Sequence, residues 1–176
     1  MRLLAGLLLI GFFSFFTAPE FTDWGGYNGG DNRNHFSPLT QINVSNVKNL
    51  KLAWSYSSGG ADTVNQTTQI QCNPIIIQGV LYGVSAGSQA FALDAKSGRE
   101  IWKTAIQEKT PSMNSRGVAF YSSPGQRSKI FFGYGSYLFA LDAKTGKPVE
   151  TFGEKGKINL LEGIRRPGSD DYTVLN

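Results

Sequence analysis

The chain has 176 residues, 40% of them hydrophobic, 12% aromatic and only 17% charged, with 21 glycines. That balance favours a β protein with many turns over a helical one. The net charge of +4 is scattered, with Arg165 and Arg166 its densest cluster, so the basic stripe of a nucleic-acid binder is missing, and a single cysteine, Cys72, excludes an internal disulfide.

Residues 1–18, MRLLAGLLLIGFFSFFTA, read as a secretory signal. Arg2 gives the positive start. Residues 3–16 form an apolar core of about fourteen residues, the length of a signal h-region and short of the ~20 that cross a bilayer. Small residues at Ser14, Thr17 and Ala18 place cleavage after Ala18, although Phe16 breaks the small-x-small rule. A short membrane anchor is the alternative. Both readings export the remainder, residues 19–176, and make a periplasmic location the expectation.

Residues 19–50 are turn-rich. Gly25, Gly26, Gly29, Gly30 and Pro38 argue against regular structure there, with Trp24 and Tyr27 as aromatic plugs. Residues 44–50 predict one helical turn with Val44, Val47 and Leu50 on one face. The single histidine, His35, lies in this stretch and Cys72 in another, so neither a zinc site nor a Cys–His dyad is expected. Cys72 reads as a small buried hydrophobe.

Residues 51–57, KLAWSYS, alternate with Leu52, Trp54 and Tyr56 on one side and predict a half-buried strand. After a polar loop over 58–68, residues 74–85 predict two short strands around Gly79, and 88–95 and 99–105 two more. These make one four-stranded unit over about 74–105. A second unit, over about 117–152, repeats the order with strands at 117–122, 128–135 and 136–143.

The two units share a phrase. Residues 91–98 read FALDAKSG and residues 139–146 FALDAKTG, offset by 48 residues from Asp94 to Asp142. In the first copy Ala92, Asp94, Gly98 and Trp102 form the pattern A-x-D-x-x-x-G-x-x-x-W; the second keeps Ala140, Asp142 and Gly146, with Glu150 where Trp102 would fall and Phe152 nearby. Asp binds local backbone and glycine supplies the positive φ of a short hairpin loop. The small alanine lets a neighbouring strand approach, and the indole can lie against backbone near a glycine of the adjacent unit, its N–H seeking one carbonyl. A strand-turn-strand phrase at this period predicts an all-β fold, a β-propeller built from such blades.

The pattern resembles the tryptophan-docking motif of the pyrroloquinoline quinone (PQQ) dependent dehydrogenases. Other landmarks follow in that family's order. DWGGYNGGDNRNHFSPLTQIN resembles its N-terminal DW…GGD…SPL-x-QI signature, LKLAWSY its first strand, NPIIIQGVLYGVS its first strand pair, and RGVAFY (116–121) its RG-(V/L)-x-Y segment. The likeness covers essentially all of 22–163 and is nearest to the membrane-associated glucose and polyol dehydrogenases. The alcohol and methanol enzymes carry an adjacent Cys-Cys pair before the RG segment; here residues 111–115 read PSMNS.

The resemblance implies an eight-bladed propeller holding PQQ and Ca²⁺, with this chain its N-terminal part of about two blades. It implies oxidation of a sugar, polyol or alcohol hydroxyl by hydride transfer to the quinone, an Asp taking the hydroxyl proton, and electrons passing to ubiquinone or a cytochrome c. Arg116 matches the family's PQQ-contacting Arg, a fixed cation suited to carboxylates and quinone oxygens. Gln71 stands where the family often has a PQQ-contacting Glu, three residues before the strand proline, and keeps hydrogen bonding without the charge. Gly117 lets backbone run close to the cofactor; Asn114 and Ser115 are weaker neighbours. The family's Ca²⁺ ligands, base Asp and ring-stacking Trp lie further along, so no catalytic or metal residue is expected in this stretch, Asp170 and Asp171 included. Alone, it is expected to be inactive. The main rival is a non-catalytic propeller of PQQ-like repeats acting as a periplasmic protein-binding scaffold, which shares the docking phrase but not the N-terminal signature or the RG segment. A sugar-binding lectin-like propeller has no positive signal.

Overall fold

The computed structural model describes residues 23–30, 32–65, 68–106 and 115–163; the signal read at 1–18, Asn114, Asp170 and Asp171 lie outside them. Within the described residues the chain builds two four-stranded antiparallel meanders. The first contains β1 (Ile75–Ile77), β2 (Val80–Val84), β3 (Gln89–Asp94) and β4 (Glu100–Ala105); the second contains β5 (Ala119–Tyr121), β6 (Lys129–Tyr134), β7 (Tyr137–Asp142) and β8 (Lys157–Asn159), each in sequence order across its sheet. The only helical elements among the described residues are two single 3₁₀ turns, Tyr27–Gly29 and Val47–Asn49.

Local chemistry sets the hairpins. Ile77 pairs with Val80 across a two-residue loop, Gln78 and Gly79, at φ 48° and 76°. Both central residues of a type I′ turn need positive φ, and this turn matches the right-handed twist of its strands. The strands it joins are β-branched and apolar, and alternate residues turn to one face.

The sheets pack face to face. Ile75, Tyr82, Ala92 and Trp102 are paired in one row across all four strands of sheet 1. This row meets Ile130, Phe132 and Leu141 of sheet 2 in one buried cluster. Ala92 has no exposed surface, and its size leaves room for the Tyr82 and Trp102 rings on either side, 6.1 Å apart. Fully burying a side chain such as Ile75 or Ile130, each 1% exposed, contributes roughly 1.5–3 kcal/mol, so this interface stabilises the pair.

Sheet 1's other face is covered by residues 54–58, with the Tyr56 ring 5.2 Å from that of Phe91. The strand predicted over 51–57 is therefore a correction. Trp54 and Tyr56 bury as the alternation requires, but Leu52 is 84% exposed and the segment joins no ladder. A strand needs a hydrogen-bonding neighbour, and none lies beside this segment among the described residues. The turn predicted at 44–50 forms at Val47–Asn49, but Val44, Val47 and Leu50 stay 95, 50 and 59% exposed.

The fourth strand of sheet 2 also departs from the repeat. Leu141 meets Pro148 as Leu93 meets Glu100, both in step with the 48-residue period. Phe91 pairs with Lys103, but its repeat-mate Phe139 pairs with Lys157, 54 residues on and so six beyond the period. Glu150 is thus no substitute for Trp102: it sits exposed in a six-residue excursion. Gly156 takes the place opposite Ala140, its carbonyl accepting from the Ala140 N–H at 2.9 Å. Phe152, from the excursion, stacks edge-on against Phe131 at 5.3 Å, much as Trp102 lies against Tyr82.

Candidate functional site

The repeated phrase builds two equivalent turns. In the first, Asp94 Oδ1 accepts from Ser97 N at 2.8 Å and Ser97 Oγ at 2.7 Å, while Gly98 N–H donates to Asp94 O at 2.8 Å with φ 70°. In the second, Asp142 Oδ1 accepts from Lys144 N at 3.1 Å and from Thr145 N and Oγ1, both at 2.9 Å, and Gly146 N–H donates to Asp142 O at 2.8 Å with φ 69°. Each turn receives a tryptophan from the preceding unit. Trp102 Nε1 donates to Ala143 O at 2.9 Å, and Thr104 Oγ1 to Gly146 O at 2.7 Å. Trp54 Nε1 donates to Ala95 O at 3.2 Å. Both indoles lie so close to the turn glycine that a Cβ on Gly98 or Gly146 would come within 2.5 Å of the ring. Residues 51–58 thus stand to sheet 1 as β4 stands to sheet 2. Tyr56 adds a hydroxyl bond to Glu100 Oε2 at 2.5 Å, and Lys103 Nζ lies 3.4 Å from the same carboxylate. The docking residues thus tie each unit to the one before it.

The second constellation lies where the first strands of the two sheets begin. Asn73 and Gly117 form a parallel bridge between the segments leading into β1 and β5. Asn73 N–H donates to Arg116 O at 3.0 Å, and Asn73 Nδ2 approaches the same oxygen at 3.4 Å. Ser115 Oγ donates to Gly117 O at 3.3 Å. Gln71 lies 45 residues before Arg116 and 46 before Gly117 in sequence, yet their segments adjoin here. On the far side of β1, Trp24 exchanges backbone hydrogen bonds with Ile76 at 2.8 and 3.0 Å, and Asp23 Oδ1 accepts from Gln78 N at 2.7 Å, so the turn-rich leader closes that strand's edge.

The donor set at this junction suits an anionic, oxygen-rich ligand. Arg116 is exposed and Gln71 partly exposed, and neither side chain has a hydrogen bond or ion pair among the described residues. A guanidinium offers five donors in a fork that matches carboxylates, and an amide both donates and accepts. Gly117 is open, a Cβ there meeting only Asn73 O at 3.5 Å, so backbone is accessible beside the cation. Cys72, between Gln71 and Asn73, is a packing residue. Its Sγ accepts from Val84 N at 3.3 Å, and burial pushes its thiol above the ordinary range, away from the thiolate that nucleophiles and metal ligands require. Among the described residues no group of three or more His, Cys, Asp or Glu side chains is placed to hold a metal ion. Asn73 was not anticipated as part of the site; its place directly before Pro74 was the signal available.

The family model for the glucose/ethanol/alcohol dehydrogenase β-propeller domain, designated PQQ, matches residues 24–176. The chain belongs to this family. Among its curated relatives, the quinoprotein glucose dehydrogenase of Escherichia coli (strain K12) is 34% identical over 83% of this chain and 21% of its own length. The glycerol dehydrogenase large subunit of Gluconobacter oxydans (strain 621H) is 32% identical over 84% of this chain and 22% of its own. The crystal structure of the quinohemoprotein alcohol dehydrogenase from Comamonas testosteroni superposes with a TM-score of 0.65 at 29% identity, over 82% of this chain and 20% of that one. This quinoprotein-family chain therefore spans about a fifth of the length of the relatives it matches. Its two meanders are blades of the propeller those proteins share.

Proposed function

We propose that this chain is part of an exported quinoprotein dehydrogenase that oxidises a hydroxyl of a sugar, polyol or alcohol and passes the electrons to ubiquinone or a cytochrome c. The observation that carries the reading is the junction at the Asn73–Gly117 bridge, which joins the segments that carry Gln71 and Arg116; among the described residues neither side chain has a hydrogen-bond or ion-pair partner. There Arg116 would hold the cofactor's carboxylate and quinone oxygens, Gln71 would supply a neutral hydrogen bond, and Gly117 would let backbone approach. PQQ, when bound, supplies the hydride acceptor that no protein side chain can provide. Calcium would be held, and the hydroxyl proton taken, by groups outside the described residues. Residues 1–176 alone would therefore show no turnover. The signal read at 1–18 supports a periplasmic location, free or associated with the membrane.

The test is to load the intact protein with PQQ and Ca²⁺ and follow dye reduction with glucose, polyols and primary alcohols. Cofactor-dependent reduction with at least one is expected; none with any of them would favour a non-catalytic scaffold. Arg116→Ala should weaken PQQ binding roughly ten- to a hundredfold, the range for a charge-assisted hydrogen bond. Unchanged PQQ titration would remove Arg116 from the site.

A further inference from the structure

We infer that Asn73 is the positioning residue for Arg116: it fixes the backbone from which the guanidinium reaches its ligand. This rests on the proposed cofactor role of Arg116. Both donors of Asn73, the backbone N–H at 3.0 Å and Nδ2 at 3.4 Å, converge on the one carbonyl of Arg116. A carbonyl oxygen has two lone pairs and can accept both. Neither donor comes from Arg116's own sheet, so the hold is a tie between blades. No other hydrogen bond to the backbone of Arg116 exists among the described residues.

Two features make Asn73 suited to the task. Pro74 follows it, and a proline ring excludes the helical region for the residue before it, so Asn73 is confined to extended geometry. That confinement aims its N–H across the gap before any partner is met, and β1 begins immediately afterwards at Ile75. On the other blade, Ser115 Oγ bonds to Gly117 O at 3.3 Å, so Arg116 sits in a short backbone segment held from both sides. The long, flexible Arg116 side chain loses several rotors on binding; a fixed Cα leaves only those rotors to be ordered. Asn73 touches no ligand in this scheme and acts only through Arg116.

A double-mutant cycle on the intact apo-protein, read by equilibrium PQQ titration, tests this. Asn73→Ala removes Nδ2 and keeps the backbone donor; PQQ binding should weaken roughly two- to tenfold, the worth of one hydrogen bond. Asn73→Asp keeps the shape but turns an oxygen on the Arg116 carbonyl, and should weaken binding at least as much. In an Arg116→Ala background both Asn73 substitutions should have no further effect. Asn73 effects that persist undiminished in that background would show an independent contact and overturn the positioning role. Wild-type affinity in Asn73→Ala and Asn73→Asp, with Arg116→Ala impaired, would overturn it as well. If Arg116→Ala itself binds PQQ normally, the cofactor assignment fails first, and the positioning role with it.

Discussion

Gly146→Ala separates what the turn requires from what the docked tryptophan requires. The appropriate control is Gly125→Ala. The two glycines share nearly the same backbone, φ 69° and 74°, but a Cβ at Gly125 meets nothing within 4 Å. A Cβ at Gly146 would lie 2.5 Å from Trp102 Cε3 and 2.8 Å from Thr104 Oγ1. Left-handed backbone costs a non-glycine residue about 1–2 kcal/mol, and this is all Gly125→Ala should lose. Overpacking adds about 1–3 kcal/mol, since neither the indole nor the backbone beneath it can yield without breaking the bond to Ala143 O. Gly146→Ala should therefore cost roughly 2–5 kcal/mol, measured from urea midpoints of the intact protein at constant m-value. In a Trp102→Ala background most of the excess should disappear, leaving a cost near that of Gly125→Ala. Equal costs at the two glycines, or an excess that survives loss of Trp102, would refute the reasoning that the indole stacks on this turn.

The acid caps and the outer-strand cluster give two further predictions. Asp142→Ala should lose about 2 kcal/mol in the same assay, because Oδ1 accepts three hydrogen bonds at a residue only 8% exposed, and should cost more than Asp94→Ala, whose carboxylate is more accessible. The Tyr56 hydroxyl bond holds the Glu100 carboxyl below its ordinary value near 4.5. A depressed carboxylate stabilises the fold above that ordinary value and loses the contribution as pH falls through the lowered one. Tyr56→Phe should therefore raise the Glu100 titration midpoint and flatten the fall in stability as pH drops below the ordinary carboxylate value; a midpoint unmoved by the substitution would refute the bond.

What was legible in the sequence follows from how local the controlling chemistry is. The strands and turns of both units could be read because Asp94, Gly98, Asp142 and Gly146 act within their own four or five residues, and apolar, aromatic-containing segments flank them. The target of Trp102 was legible as a kind, a glycine and a carbonyl of the adjacent unit, because 48-residue spacing repeats the same surface. The excursion after Val149 was not: GEKG carries turn chemistry, but nothing in it tells whether strand pairing resumes six residues late. The sequence from 51 to 57 has strand alternation, yet alternation reports burial of one face and says nothing of a hydrogen-bonding neighbour. At the junction, the nomination of Gln71, Arg116 and Gly117 came from family likeness. Their adjacency depends on a bridge between residues 44 positions apart, and no local pattern encodes that pairing.

The docking repeat and the junction are parts of one device. Trp102 belongs to the last strand of sheet 1 and Asn73 lies two residues before its first, separated by three inter-strand spacings, roughly 14 Å at ~4.8 Å each. The indole bond to Ala143 O ties the sheets at one side, and the Asn73–Arg116 bonds tie them at the other. Between the two ties lie Ile75, Tyr82 and Ala92, packed against sheet 2. One tie with a packed interface would still allow the sheets to pivot, because apolar contacts are weakly directional. Two ties on opposite sides fix the wedge angle between blades. That angle sets the separation of Gln71 from Arg116, which lie on different blades and share no covalent path shorter than the whole of sheet 1. A binding site assembled across a blade boundary needs such an angular constraint, whereas a site within one blade would not. The repeated phrase thus contributes to the candidate site without touching it: it holds rigid the two platforms from which the donors project.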